Sequence, residues 1–76
     1  MIHNEDHPSL STVIATNIRR SRTARNITQK EIAALTGLTQ GYISRVERGK
    51  RSLSIDKLQR LSQALDIPLH ELTASA

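Results

Sequence analysis

The 76 residues contain no cysteine, tryptophan or phenylalanine, and a single tyrosine, Tyr42. Without cysteine, disulfides and thiolate metal centres are excluded, which fits a reducing compartment. No apolar run approaches the roughly 20 residues that span a bilayer, and the opening MIHNEDHP is too polar for a signal peptide. A cytoplasmic protein with no membrane partner is the expectation. Also missing are a glycine-rich phosphate loop, a nucleophile beside a base, and a cluster of metal ligands. No enzymatic activity, cofactor or metal is therefore expected. His3 and His7 read as incidental, and His70 as a polar residue near the end of the chain. No stretch alternates as a strand does, nothing repeats, and no low-complexity tract is present.

Acidic residues are scarce where it matters. All eleven Lys and Arg fall between Arg19 and Arg60, against only Glu31, Glu47 and Asp56, so this segment carries 11 − 3 = +8. The flanks, 1–18 and 61–76, hold four acids and no Lys or Arg. A basic centre between neutral or acidic ends suits a polyanion, because each neutralised phosphate releases counterions. An ordinary solvated surface is the bland alternative.

The chain is long enough for one small domain, which buries only about 60% of its unfolded surface. Residues 1–8 are polar and aperiodic and read as a flexible arm, leaving 9–74 for the domain. From Leu10 to about Arg25, Leu10, Val13, Ile14 and Ile18 share one helical side, with Ser9 or Ser11 as the cap and Asn26 as the stop. Three helix starts then follow one rule. Thr28, Thr39 and Ser54 each stand as an N-cap, preceded by an apolar residue (Ile27, Leu38, Leu53) that is matched by another inside the helix (Ile32, Ile43, Leu58). This is the hydrophobic-staple pattern, and Glu31 completes a capping box with Thr28. The fourth helix carries Ile55, Leu58, Leu61 and Leu65 on one stripe, with Lys57 and Arg60 turned away. A fifth, about 68–74, begins at Pro68, as cap or first residue. The fold class is all-α, a five-helix domain. Its expected core is Ile14, Ile18, Ile27, Ile32, Leu35, Leu38, Ile43, Val46, Leu58, Leu61 and Leu65. So thin a core would gain from a homodimer contact through Ile67, Leu69 and Leu72.

The second and third helices lie either side of Gly37, a residue that tolerates positive φ in a sharp turn, and Ala33 is small enough for their close approach. Residues 13–72 resemble the lambda-repressor-like (XRE) helix-turn-helix family. The likeness is carried by Ile18, Arg19 and Arg22 (I-R-x-x-R), by TQKEIA and Gly37, by YISRVERGK, and by IDKLQRLSQALDIPLHEL. Leu53 departs from the proline of many relatives but keeps the staple. Size and the string Y-I-S-x-x-E-R-G-x-R point, within that family, to controller proteins of restriction–modification systems.

The resemblance implies a regulator that binds double-stranded DNA as a homodimer on a pseudo-palindromic operator, with RNA polymerase a further partner if it activates. It implies base reading by Gln40, Ser44 and Arg45, on the helix face opposite Ile43 and Val46. Backbone or groove-edge contacts fall to Gln29, Tyr42, Arg22, Arg48, Lys50, Arg51 and Ser52. As the sole aromatic beside an aliphatic core, Tyr42 is expected at the surface. Gly41 is odd inside a helix and reads either as room for DNA or as drift. In the family the equivalent of Glu47 pairs with the equivalent of Arg22. Two other readings compete: an antitoxin that represses its own operon, and an interaction module whose basic face binds an acidic protein.

Overall fold

The computed structural model describes residues 9–75. The expected arm, with His3 and His7, lies outside the described residues. Five helices follow in order: α1 (Leu10–Ala24), α2 (Gln29–Thr36), α3 (Gln40–Glu47), α4 (Ile55–Leu65) and α5 (Leu69–Thr73). No strand occurs among the described residues.

Each start has a local cause. Ser9, Thr28, Thr39 and Ser54 take extended backbone, and each side-chain oxygen accepts the N–H three residues on, filling one of the orphan donors of the first turn. Ser9, not Ser11, is the α1 cap. Thr28 and Glu31 form the reciprocal capping box: Thr28 N–H donates to Glu31 Oε1 at 2.8 Å, and Glu31 N–H to Thr28 Oγ1 at 3.0 Å. Pro68 is the N-cap of α5 and has no side chain with which to cap it.

The ends are equally specified. After α1 the chain enters the left-handed region at Asn26 (φ 56°), and Ile27 N–H returns to the Arg22 carbonyl at 3.0 Å. After α3, Gly49 (φ 70°) does the same, with Lys50 N–H reaching the Arg45 carbonyl at 2.9 Å. Asp66 (φ 56°) and Ile67 repeat the pattern after α4. All three are Schellman closures, which satisfy the last carbonyls and turn the chain sharply. At Gly37 (φ 76°) the turn between α2 and α3 takes its required left-handed residue.

α2 packs on α3 and α4, while α1 crosses α3 and α5. Ile18, Ile32, Ile43, Val46, Leu61, Leu65 and Leu72 are essentially sealed between them, joined by Ile14, Ala33, Tyr42 and Leu58. Ile27, Leu38 and Leu53 lie half-buried against this cluster, where the staple pattern puts them. Three apolar positions depart from expectation. Leu35 is 64% exposed, Ile55 67% and Leu10 60%. Leu10 and Ile55 are first residues of their helices, where the chain has not yet turned onto the core. Leu35 sits one step past the buried Ile32–Ala33–Thr36 face of α2, and Thr36 fills that place with its hydroxyl bonded to the Ile32 carbonyl at 2.7 Å. Leu72, expected on a dimer surface, is fully buried in its own core. It closes the cluster from α5 and is not available to a second copy.

Candidate nucleic-acid interface

α3 is held by two adjacent ridges of its own side chains. Ile43 and Glu47 form one ridge, Tyr42 and Val46 the other, and all four are buried. The opposite side leaves Gln40, Gly41 and Arg45 exposed and Ser44 half-buried. The three expected reading residues therefore share one outward face, beginning at the helix N-terminus.

Glu47, 4% exposed, is the polar anchor of that helix. Arg22 grips it with two bonds, Nε to Oε2 at 2.6 Å and Nη2 to Oε1 at 3.0 Å, and Gln29 Nε2 adds a third at 3.1 Å. The remaining Arg22 arm donates from Nη1 to the Ile27 carbonyl at 2.7 Å. The end of α3 is thereby tied to α1, to the loop after it, and to the start of α2. Such a fork is the strong form of a charge-assisted hydrogen bond, and it pushes the Arg22 guanidinium above its ordinary pKa. The family pairing of Glu47 with Arg22 is present in this chain. The side chains of Arg22 and Gln29, both expected to face a phosphate, are largely committed to Glu47 instead. Gln29 is the first residue of α2, so its backbone N–H lies in the first turn of that helix.

Tyr42 corrects the expectation most clearly. It is 8% exposed and belongs to the core, not to the surface. Its hydroxyl donates to the Ser52 carbonyl at 3.2 Å, and its ring lies under two cations, Lys57 Nζ at 4.8 Å and the Arg51 guanidinium carbon at 5.5 Å. A tyrosine buried with its polar tip at the rim finds a backbone acceptor there. The spacing of 42 to 46 held the clue, since it repeats that of 43 to 47. Tyr42 thus positions the loop after α3 and gathers positive charge above itself. Lys57, read as turned away, was missed for this reason.

That loop exposes Arg48, Lys50, Arg51 and Ser52. Arg19, also missed, extends the basic margin from α1: it is exposed, and its Nη2 lies 3.5 Å from the Glu47 carbonyl. The site is an outward helix face with a run of cations at its far end. Among the described residues no group of three or more His, Asp or Glu could hold a metal ion, and no helix is long and apolar enough to cross a membrane.

A family model described as helix-turn-helix, HTH_3, matches residues 18–72. The chain is 37% identical over 60 residues to an HTH-type transcriptional regulator, y4dJ, of Sinorhizobium fredii, covering 79% of this chain and 78% of that one. It is 32% identical over 63 residues to the control protein C.SmaI of Serratia marcescens, covering 83% and 75% respectively. Among solved structures, the restriction-modification controller protein C.AhdI of Aeromonas hydrophila superposes with a TM-score of 0.79 at 37% identity, covering 82% of this chain and 94% of that one. The relatives are regulators and not enzymes. The chain belongs to the helix-turn-helix (XRE-type) family of DNA-binding transcriptional regulators and is related to restriction–modification controller proteins.

Proposed function

We propose that the protein binds a pseudo-palindromic operator as a homodimer, with α3 of each copy in the major groove, and that it acts as a controller-type regulator of transcription. The observation that carries this reading is the division of α3. One face is locked by Ile43, Val46, Tyr42 and the Glu47 network, and the other presents Gln40 and Arg45, both exposed, with the half-buried Ser44 between them. Arg45 is the assigned guanine reader, donating to O6 and N7, and Gln40 the adenine reader. Arg48, Lys50, Arg51 and Ser52, with the α2 N-terminus at Gln29, contact the flanking phosphates and supply the affinity shared by all sequences. Tyr42 acts from beneath, by holding Ser52 and Arg51.

With Leu72 consumed by the core, the half-buried Ile67 and Leu69 remain for a second copy, and of the exposed apolar residues Leu10, Leu35 and Ile55 we assign Ile55 to the same contact. Two copies would set the half-sites about one helical turn apart, roughly 34 Å.

Arg45→Ala tests the assignment. On the selected operator it should cost about 1–3 kcal/mol and relax preference at one base pair per half-site. An equal loss on unrelated duplex would reduce Arg45 to a phosphate contact and remove the base-reading claim.

A further inference from the structure

A glycine stands at the second position of α3, where helix propensity argues against it. Nothing in the fold asks for it. Gly41 is exposed, its φ is not in the left-handed region, and a Cβ built on it would meet neither neighbouring helix nor loop. Among the described residues, and apart from the adjoining backbone of α3 itself, the one atom within 4 Å of such a Cβ is Arg45 Nη1, at 3.6 Å. Residues four apart share a helical face, and long side chains lean back toward the helix N-terminus. The Arg45 side chain follows that rule and lies along α3 over the bare backbone of Gly41. Its guanidinium is thereby carried toward the end of the helix that meets base edges in a helix-turn-helix complex.

We infer that Gly41 is a specificity-determining positioning residue: by placing nothing larger than a methyl would be at position 41, it leaves the shelf on which the Arg45 guanidinium rests for base reading. The inference rests on the proposed reading role of Arg45 and adds the residue that sets its pose. A methyl at position 41 fits under the guanidinium in ordinary van der Waals contact. The γ carbons of valine extend about 1.5 Å further, so the guanidinium would have to shift from this pose to make room for them. Two parallel hydrogen bonds to one base fix both distance and plane, so a displaced fork loses its discrimination before it loses its charge. The rival reason for a glycine here is close approach of the DNA itself, which would hold whatever stands at 45.

A double-mutant cycle separates the two. Gly41→Ala and Gly41→Val are made in the natural chain and in Arg45→Ala. For each protein the thermal midpoint is measured, along with affinity for the selected operator and for a scrambled duplex. Both substitutions leave the free protein folded, and Gly41→Ala raises its Tm by about 4 °C, through the smaller backbone entropy lost on folding. Gly41→Val lowers the operator-to-scrambled preference by about tenfold or more, toward that of Arg45→Ala, with scrambled-duplex affinity kept; Gly41→Ala lowers it by less than about threefold. In the Arg45→Ala background Gly41→Val changes the preference no further. The proposal is overturned if valine costs the same with Arg45 absent, which would assign the glycine to DNA approach, or if valine keeps full preference. A natural chain that shows no preference for any sequence removes the reading role of Arg45, and this inference with it. Clear preference with an additive cycle removes this inference alone.

Discussion

Glu47 shows what a single buried carboxylate does in so small a domain. It sits where α1, α2 and α3 meet and accepts from Arg22 and Gln29. Removing one partner of a largely buried pair leaves the other charge without compensation, at a cost of about 3–5 kcal/mol. Glu47→Ala should therefore lower stability by about 3 kcal/mol or more, measured by urea unfolding. A loss under about 1 kcal/mol, the value for an exposed pair, would mean that the network is solvated. This pair was legible through the family resemblance, which implies Arg22 as the partner of Glu47. Gln29 was not legible as its second donor. Its place at the start of α2 points outward in the sequence, and only the three-dimensional meeting of α2 with α3 turns its amide inward. Tyr42 was misread for a related reason: an aliphatic core was taken to exclude an aromatic, whereas the ring fills the rim and leaves its hydroxyl beside Ser52.

At the scale of the element, boundaries were the most legible feature. Caps and left-handed stops act within four residues, so Thr28, Thr39, Ser54, Asn26 and Gly37 announce themselves without the rest of the fold. Thr28→Ala should cost about 1 kcal/mol at neutral pH, and its effect carries a pH signature. The Thr28 N–H and then its hydroxyl hold the Glu31 carboxyl below its ordinary pKa. A depressed folded pKa means that the contribution is complete above the free glutamate value and vanishes as pH falls through the lower, folded one. The gap in stability between the natural chain and Glu31→Gln should accordingly shrink in acid, below about pH 4. A gap that is constant from pH 7 to pH 3 would contradict the capping role. Faces were less legible than boundaries. Ile55 and Leu35 obey helical periodicity yet lie in the open, because where each helix meets its neighbours is decided by packing and not by the local pattern.

The whole molecule places its apolar tail differently from the sequence expectation. Leu72 is a core residue, so Leu72→Ala should cost about 2–5 kcal/mol of monomer stability, well beyond any effect on association. Charge at the proposed contact should do the reverse. Leu69→Glu or Ile55→Glu should shift sedimentation toward the monomer and weaken operator binding, Ile55→Glu with little change in the thermal midpoint at low protein concentration and Leu69→Glu with some loss, because Leu69 also packs against the core. Unchanged sedimentation for both would move the interface elsewhere. The division of labour between a locked inner face of α3 and its open outer face is the claim on which everything above depends, and selection from random duplex DNA tests it most directly. The selected sequences should converge on an inverted repeat with half-sites about one helical turn apart, bound at least about 10³-fold more tightly than unrelated duplex at the same salt. Recovery of no common sequence, with affinity set by salt alone, would contradict it.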